Sequence, residues 1–377
     1  MAGNITLRIV HIMRAPMGGV FRHVRDLALQ HTQAGHQVGI ICDVAGTDGY
    51  QEAGLEQLDV HLALGVHRVA MPRAVGAADV LSARKVLTVL KSMNADVVHG
   101  HGAKGGVYAR AVGRMAGGGR NVARIYSPHG GSLHFDPASK AGKIYFAVER
   151  MLERQTDAIM YVAEFERDAY RRKVGEPRCA THIVYNGLAK NEFAPVKPVK
   201  GAADFLFIGE MRDLKGYDLV IHASKALIDK GYASLKVLMV GSGPEEKQAD
   251  RLIADHGLAS IIERRAPMPA RDAFALARCV VMPSRAEAMP YIVLEALGAT
   301  MPIIASSVGG IPEIFAGTDV ALIEPDTDPL EETMRSFLDD PARLAAQMPS
   351  PALLKSRFSA EVMGESVMNA YRSALSA

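Results

Sequence analysis

The chain has no tryptophan, and phenylalanine and tyrosine bring its aromatic content to only 6%. No compact run of arginine and lysine is interleaved with aromatics, which argues against a nucleic-acid partner. The three cysteines, Cys42, Cys179 and Cys279, are scattered and form no CxxC pair. Neither a disulfide framework nor a cysteine zinc site follows from them, and each reads as a small buried apolar residue. No hydrophobic run reaches the roughly 20 residues of a membrane-spanning helix. The N-terminus, MAGNITLRIVHIM, lacks a basic region followed by a long apolar stretch, so a cytoplasmic location is expected. There is no GxGxxG, no low-complexity segment and no repeat at solenoid periods.

What is present is apolar residue in quantity. At 377 residues and 49% hydrophobic, the chain can fill two cores, and two α/β domains of about 150–200 residues each are the natural division. Short β-branched runs alternate with longer amphipathic stretches, the pattern of βα units and parallel sheets. Strands are expected at 7–12, 37–42, 59–64, 96–99, 121–126, 157–162 and 181–185. Helices are expected between most of them, including Val20–Ala34, Ala78–Met93, Lys104–Met115 and Lys140–Arg154. After Asn186-Gly187 the stretch KNEFAPVKPVKGAAD has no periodicity and reads as a linker. A second series then predicts strands at 204–209, 235–241, 260–264, 279–284, 302–307 and 320–325, and residues 351–376 read as one or two helices. The expected fold is α/β with two Rossmann-like doubly wound domains, 1–188 and 189–358, facing a central cleft. A C-terminal helix at about 359–377 is expected to pack back on the first domain. In such sheets ligands sit beyond the carboxyl ends of the strands, which makes the strand-to-helix loops the informative segments.

Charge is unevenly spread. Residues 1–188 carry 23 Lys and Arg against 16 Asp and Glu, whereas the whole chain is only +2. A basic first half suits an anionic partner such as a membrane surface, and equally an ordinary solvated exterior. The segment KAGKIYFAVERMLER (140–154) is the candidate membrane face, or else a core-packing helix.

Four loops carry candidate chemistry. Gly18 and Gly19 follow the first strand and open a helix, where backbone N–H groups favour an anion; alone, such a pair is as often a simple turn. In IGEMRDLKGYDLVIHA (208–223), Arg212 and Lys215 precede a helix and can converge on a diphosphate, although taken alone two such charges are more often solvated. In PSRAEAMPYIVLEALGATMPIIASSVGGIPEI (283–314), Glu287 stands in a loop after a strand and Glu295 one to two turns into the helix beginning near Pro290. One carboxylate is placed to accept sugar hydroxyls and the other to hold a ribose diol. Backbone from Ala288 through Met289 and Pro290 to Tyr291 faces the same ligand, with Pro290 lacking an N–H. His129, in Ser127-Pro128-His129-Gly130-Gly131, ends a strand at the expected cleft edge, where it can touch a sugar. His99 and His101 form His-x-His, but no third ligand has a clear spacing, so no metal site is expected.

Together these pieces resemble the family-4 retaining glycosyltransferases of the GT-B fold. The likeness spans Gly18-Gly19, His129-Gly130, VYNG (184–187), FIGEMRDLKG (207–216), VGSGP (240–244) and the Glu-x7-Glu tract ending in GGIPE (309–313). It implies that Gly18 and Gly19 close over the donor phosphates, His129 contacts the transferred sugar, and Arg212 with Lys215 holds the diphosphate. It also implies that Glu287 binds sugar hydroxyls and Glu295 the ribose, with Met268, Ala288, Met289, Pro290 and Tyr291 completing the donor site. No metal or other cofactor is implied. The substrates would be a nucleotide-diphosphate sugar and a glycan or lipid-linked acceptor in bacterial cell-surface polysaccharide synthesis, with the enzyme peripheral on the inner face of the cytoplasmic membrane. Two departures stand out: Ala288-Met289-Pro290 replaces the family's Gly-Phe-Gly, and Arg264-Arg265-Ala266 replaces an apolar run near the nucleobase. Rival readings are a nucleotide-sugar epimerase of the same fold, which would convert donor alone, a non-catalytic sugar-nucleotide-binding module, and a dehydrogenase, disfavoured by the missing glycine fingerprint.

Overall fold

The computed structural model describes residues 5–44, 49–72 and 76–376. The chain divides into two units, Met1–Gly187 with Ala360–Ala377, and Leu188–Ser359.

In the first unit seven parallel strands, β1 (Arg8–Met13), β2 (Gln37–Cys42), β3 (Gly65–Arg68), β4 (Val97–His101), β5 (Ala123–Ser127), β6 (Ala158–Tyr161) and β7 (Ala180–Ile183), lie in the order β3-β2-β1-β4-β5-β6-β7. The interiors of β1, β2 and β4 are buried on both faces, which is why they read as near-continuous apolar runs. The order reverses at β1, whose neighbours are β2 and β4, with Met13 opposite His101. The loops leaving β1 and β4 therefore flank the switch point where such sheets bind ligands.

The third strand departs from expectation. Residues 59–64 make tight turns, with N–H groups of His61, Leu62 and Gly65 donating to the carbonyls of Leu58, Asp59 and Leu62. Val60 is 81% exposed, so the apolar alternation there does not report burial. The strand begins at Gly65, where the Asp59 carboxylate accepts from the Val66 N–H at 2.7 Å.

The chain's last helix, Ala360–Ser376, belongs to this unit. Met363, Val367, Met368 and Tyr371 enter one core with Ile9, Val97 and Ile125, and the Tyr371 hydroxyl lies 2.7 Å from His99 Nδ1. Burial of each such large side chain stabilises by about 1.5–3 kcal/mol. Ser359, in extended conformation, separates this helix from Pro351–Phe358.

The second unit holds β8 (Ala203–Ile208), β9 (Val237–Val240), β10 (Ile262–Arg265), β11 (Ala277–Met282) and β12 (Ile303–Ala305), all parallel, in the order β10-β9-β8-β11-β12. Helices Tyr217–Asp229 and Thr327–Asp339 share a core with Phe205, Phe207 and Val281. The strand expected at 320–325 is reduced to one bridge, Ser306 to Ile323. Ile323 alone of that run is buried, and Pro325 follows at once, so nothing extends the pairing.

Candidate functional site

The second unit gathers four strand-to-helix loops around Lys215 and Glu287. Chain leaving β8 runs through 209–216, makes a short 3-10 turn at Asp213–Lys215 and enters the helix Tyr217–Asp229. This loop is tied on both sides. The Met211 N–H donates to Ser242 O at 3.0 Å, and the Glu245 N–H donates to Met211 O at 3.0 Å. On the other side the Arg285 N–H donates to Leu214 O at 2.9 Å, and the Arg285 guanidinium grips Asp218 with two bonds of 2.8 and 2.7 Å. Burial works against the Asp218 carboxylate, but the bonds from Arg285 outweigh it and hold its pKa below the ordinary value.

Lys215 and Glu287, 72 positions apart, form an ion pair at 2.6 Å between Nζ and Oε1. The Glu287 side chain is only 8% exposed, and that of Lys215 is 31% exposed. Arg212 stands more openly, its Nη2 bonded to Glu210 Oε1 at 2.9 Å. The two cations expected to be waiting for a phosphate thus each face a carboxylate.

Glu287 is seated from below by the GGIPE segment. Gly309 has φ of +60°, and a Cβ there would fall 1.8 Å from the Glu287 carbonyl oxygen, so only glycine fits. The next residue, Gly310, donates its N–H to Ala288 O at 2.8 Å. Met289 and Tyr291 are buried, and Pro290, in extended conformation, caps the helix Tyr291–Gly298. Glu295 lies in that helix's second turn, half-buried. Met268 is half-buried in the loop between β10 and the helix Ala270–Phe274.

Gly18, Gly19 and His129 belong to the first unit. Gly18 opens the helix Gly18–Gln33 at φ +60° with open space around it, so its backbone angle rather than crowding requires glycine. His129 follows β5 with φ +52°, rare for a side chain of its size. It is not solitary. Its Nε2 lies 3.0 Å from His101 Nδ1, whose own Nε2 lies 3.0 Å from His11 Nδ1. The His23 ring stands edge-on to His129, with centroids 4.7 Å apart. Although no third ligand has a clear spacing to His99 and His101 in the sequence, two groups, His11–His99–His101 and His23–His101–His129, each hold ring nitrogens within 4.8 Å. The partners His11, His23 and His129 come from β1, the first helix and the loop after β5, elements with no fixed spacing to His-x-His.

Burial pushes the His11 pKa down to about 3 and that of His23 to about 4. An unfolded chain takes up these protons near pH 6.5, whereas the folded one refuses them, so stability is complete above 6.5 and falls as pH drops towards 4. Each such histidine is expected to cost about 2 kcal/mol between pH 7 and pH 5. Urea midpoints of EDTA-treated protein at the two pH values measure this. A midpoint no lower at pH 5 would contradict it.

Two family models match the chain: Glycosyltransferase Family 4 over residues 17–191, and Glycosyl transferases group 1 over residues 189–352. The D-inositol 3-phosphate glycosyltransferase 1 of Catenulispora acidiphila is 29% identical over 279 residues, which are 67% of this chain and 66% of that protein. A Corynebacterium glutamicum protein, GDP-mannose-dependent monoacylated alpha-(1-6)-phosphatidylinositol monomannoside mannosyltransferase, is 24% identical over 99% of both chains. Among solved structures, Anabaena HepE in complex with UDP and glucose superposes with a TM-score of 0.80 at 17% identity, covering 97% of this chain and 100% of its own. The two parallel sheets with flanking helices are the two Rossmann-like domains of that fold. With the two models accounting between them for residues 17–352, the chain belongs to the nucleotide-sugar-dependent glycosyltransferases of the GT-B fold.

Proposed function

We propose that this enzyme moves a sugar from a nucleotide-diphosphate donor to a glycan or lipid-linked acceptor of the bacterial cell surface, with retention of configuration. The observation that carries the proposal is the Lys215–Glu287 pair held by four tied loops in the second unit. Donor phosphate competes with Glu287 for Lys215. Once displaced, the carboxylate is free to accept hydroxyls of the donor sugar, so one exchange positions both ends of the breaking bond. Charge develops on the leaving diphosphate, and Arg212 and Lys215, fixed beforehand, stabilise it. The diphosphate oxygen then takes the acceptor proton on the face that it leaves. Glu295 holds the ribose, beside Met268 and the 288–291 backbone. Gly18, Gly19 and His129 keep the phosphate and sugar contacts that the family resemblance implies, on what we take to be the acceptor-side domain.

One relative is GDP-mannose-dependent by name, and a structural neighbour holds UDP, so both diphosphates are the probes of choice. Calorimetry should register UDP or GDP binding of equal strength with and without EDTA, since cationic side chains neutralise the phosphates. Binding lost specifically on adding EDTA, or absent for both nucleotides, would overturn the donor assignment.

An acceptor on a lipid would bring the first unit to a membrane. No helix among the described residues is long and apolar enough to cross one. The helix Lys140–Glu153, however, turns Phe146, Leu152 and both its glutamates, Glu149 and Glu153, inward and leaves Ile144 and Met151 60% exposed. Exposed Lys140, Lys143 and Arg154 flank them, and Phe135 stacks on Tyr145 at 4.5 Å. An apolar ridge edged by cations suits an anionic surface. Co-sedimentation with anionic liposomes should be present at low salt and weaken well above 0.15 M, where the Debye length is under about 8 Å. Salt-independent sedimentation, or none, would remove this docking face.

A further inference from the structure

We propose that His23, His101 and His129 form a binding site for a divalent transition metal of the zinc class, and that its occupancy inhibits transfer. The three residues come from separate elements: the first helix, the end of β4 and the loop after β5. Their ligating nitrogens nevertheless lie within 4.8 Å of one another. His101 Nδ1 and His129 Nε2 are 3.0 Å apart, close to the roughly 3.3 Å between nitrogens on a tetrahedral ion with bonds of about 2.0–2.1 Å. An opening of a few tenths of an ångström fits this pair to the ion.

The surrounding hydrogen bonds prepare the ligands. His23 Nδ1 lies 2.9 Å from Asn186 Oδ1, which can only accept, so the proton sits on Nδ1 and Nε2 keeps its lone pair. His101 directs Nε2 at His11 Nδ1, leaving its own Nδ1 for the metal. Burial lowers the pKa values of all three histidines, so each is in the neutral form that ligates at pH 7. His129 is held at φ +52°, a strained angle of the kind found at functional sites.

The alternative triad is less able to bind. His99 has both nitrogens engaged, with Tyr371 at 2.7 Å and Ser127 at 2.9 Å, and His11, His99 and His101 are fully buried. His129 is half-buried, which gives the proposed site an entry path and a fourth position open to water. Three imidazoles select zinc, cobalt, nickel or copper over magnesium and calcium, which prefer oxygen ligands. The metal is not a cofactor. It engages the His129 ring, and the inhibition, unlike the binding, rests on the proposed contact between His129 and the donor sugar.

The test is titration of EDTA-treated, dialysed protein with Co2+, followed by displacement with Zn2+. One Co2+ per chain with the intense visible absorption of a tetrahedral site is expected, and Mg2+ should give no response. Asn186→Leu should weaken binding about 10–100-fold by releasing the His23 tautomer, and His23→Gln should weaken it further. His222→Gln, altering the separate His222–His256 contact in the second unit, should leave it unchanged. Should His23→Gln fail to fold, Asn186→Leu and a Zn2+-dependent rise in wild-type Tm carry the test. No tetrahedral Co2+ signal, or one lost with His222→Gln and kept with His23→Gln, would overturn the site and leave the donor-binding proposal untouched. Micromolar Zn2+ that inhibits the wild type but spares His23→Gln supports the whole inference. Binding without inhibition upholds the site and removes His129 from the donor contact.

Discussion

Lys215→Ala lowers kcat with the cognate donor at least a hundredfold in a protein that still folds. The pairing of Lys215 Nζ with Glu287 Oε1 at 2.6 Å makes this more than the loss of a surface charge. If the loop holds the leaving diphosphate, negative charge grows there as the glycosidic bond breaks, and the cation is worth more in the transition state than in the ground state. Losing one such charge-assisted contact costs on the order of 3 kcal/mol, which is the hundredfold. The rival is that the pair is a structural salt bridge. It predicts a lower Tm, because a carboxylate only 8% exposed is left without its cation, but near-normal turnover. The double variant Lys215→Ala, Glu287→Ala separates the two. A structural pair, removed whole, recovers stability while turnover stays near normal, whereas a catalytic Lys215 leaves the double variant as slow as the single one or slower. Arg212→Ala should also be slow, and combined with Lys215→Ala it should cost less than the sum if both charges serve one diphosphate. Circular dichroism confirms folding. A folded Lys215→Ala enzyme with normal kcat sinks the phosphate-binding assignment.

The interior strands were legible because parallel strands buried on both faces are written as unbroken apolar runs, as in RIVHIM, QVGIIC and ARCVVM. At the sheet edges that signal fades. All four residues of β3 are only half-buried, so its sequence carries no run, and the more apolar residues before it make turns. At the β12 edge of the second sheet, one inward residue, Ile323, cannot make a strand. The same division holds at the candidate site. Lys215, Arg212 and Glu287 could be picked out because they stand in strand-to-helix loops within an ordered set of motifs that resembles a known family, although each charge taken alone reads as solvated. Their pairing could not, because loop paths over 72 positions have no period. His101 was visible as half of His-x-His, while His11 and His23 acquire meaning only when parallel β1–β4 pairing and the first helix bring them to it. The glycines of GGIPE were legible only as part of the family resemblance, and what they approach was not legible at all.

Gly309 supplies the second large effect, since it acts on Glu287 through the backbone. A Cβ at 309 meets the Glu287 carbonyl oxygen at 1.8 Å, and that oxygen is backbone, unable to rotate aside. Alanine also pays for φ of +60°, by about 1–2 kcal/mol. The strain is relieved by moving the 286–288 backbone outward by about 1 Å or more, which breaks the Gly310 bond to Ala288 O and draws the Glu287 carboxylate from its place beside Lys215. A displacement of that size at a positioning group is worth about a hundredfold in rate. Gly309→Ala is therefore expected to lower kcat by about that factor, along with Tm, and to resemble Glu287→Ala. Glu295→Ala, which removes a ribose contact present in ground and transition states alike, should instead raise the donor KM more than it lowers kcat. Gly231→Ala is the control for backbone strain alone: its φ is +96°, but nothing lies within 4 Å of the added Cβ. It should lose a little stability and no activity. Steady-state kinetics with melting curves for the four variants decide the matter, and a Gly309→Ala enzyme with wild-type kcat and KM would show that the Glu287 loop is not held in place by this close approach.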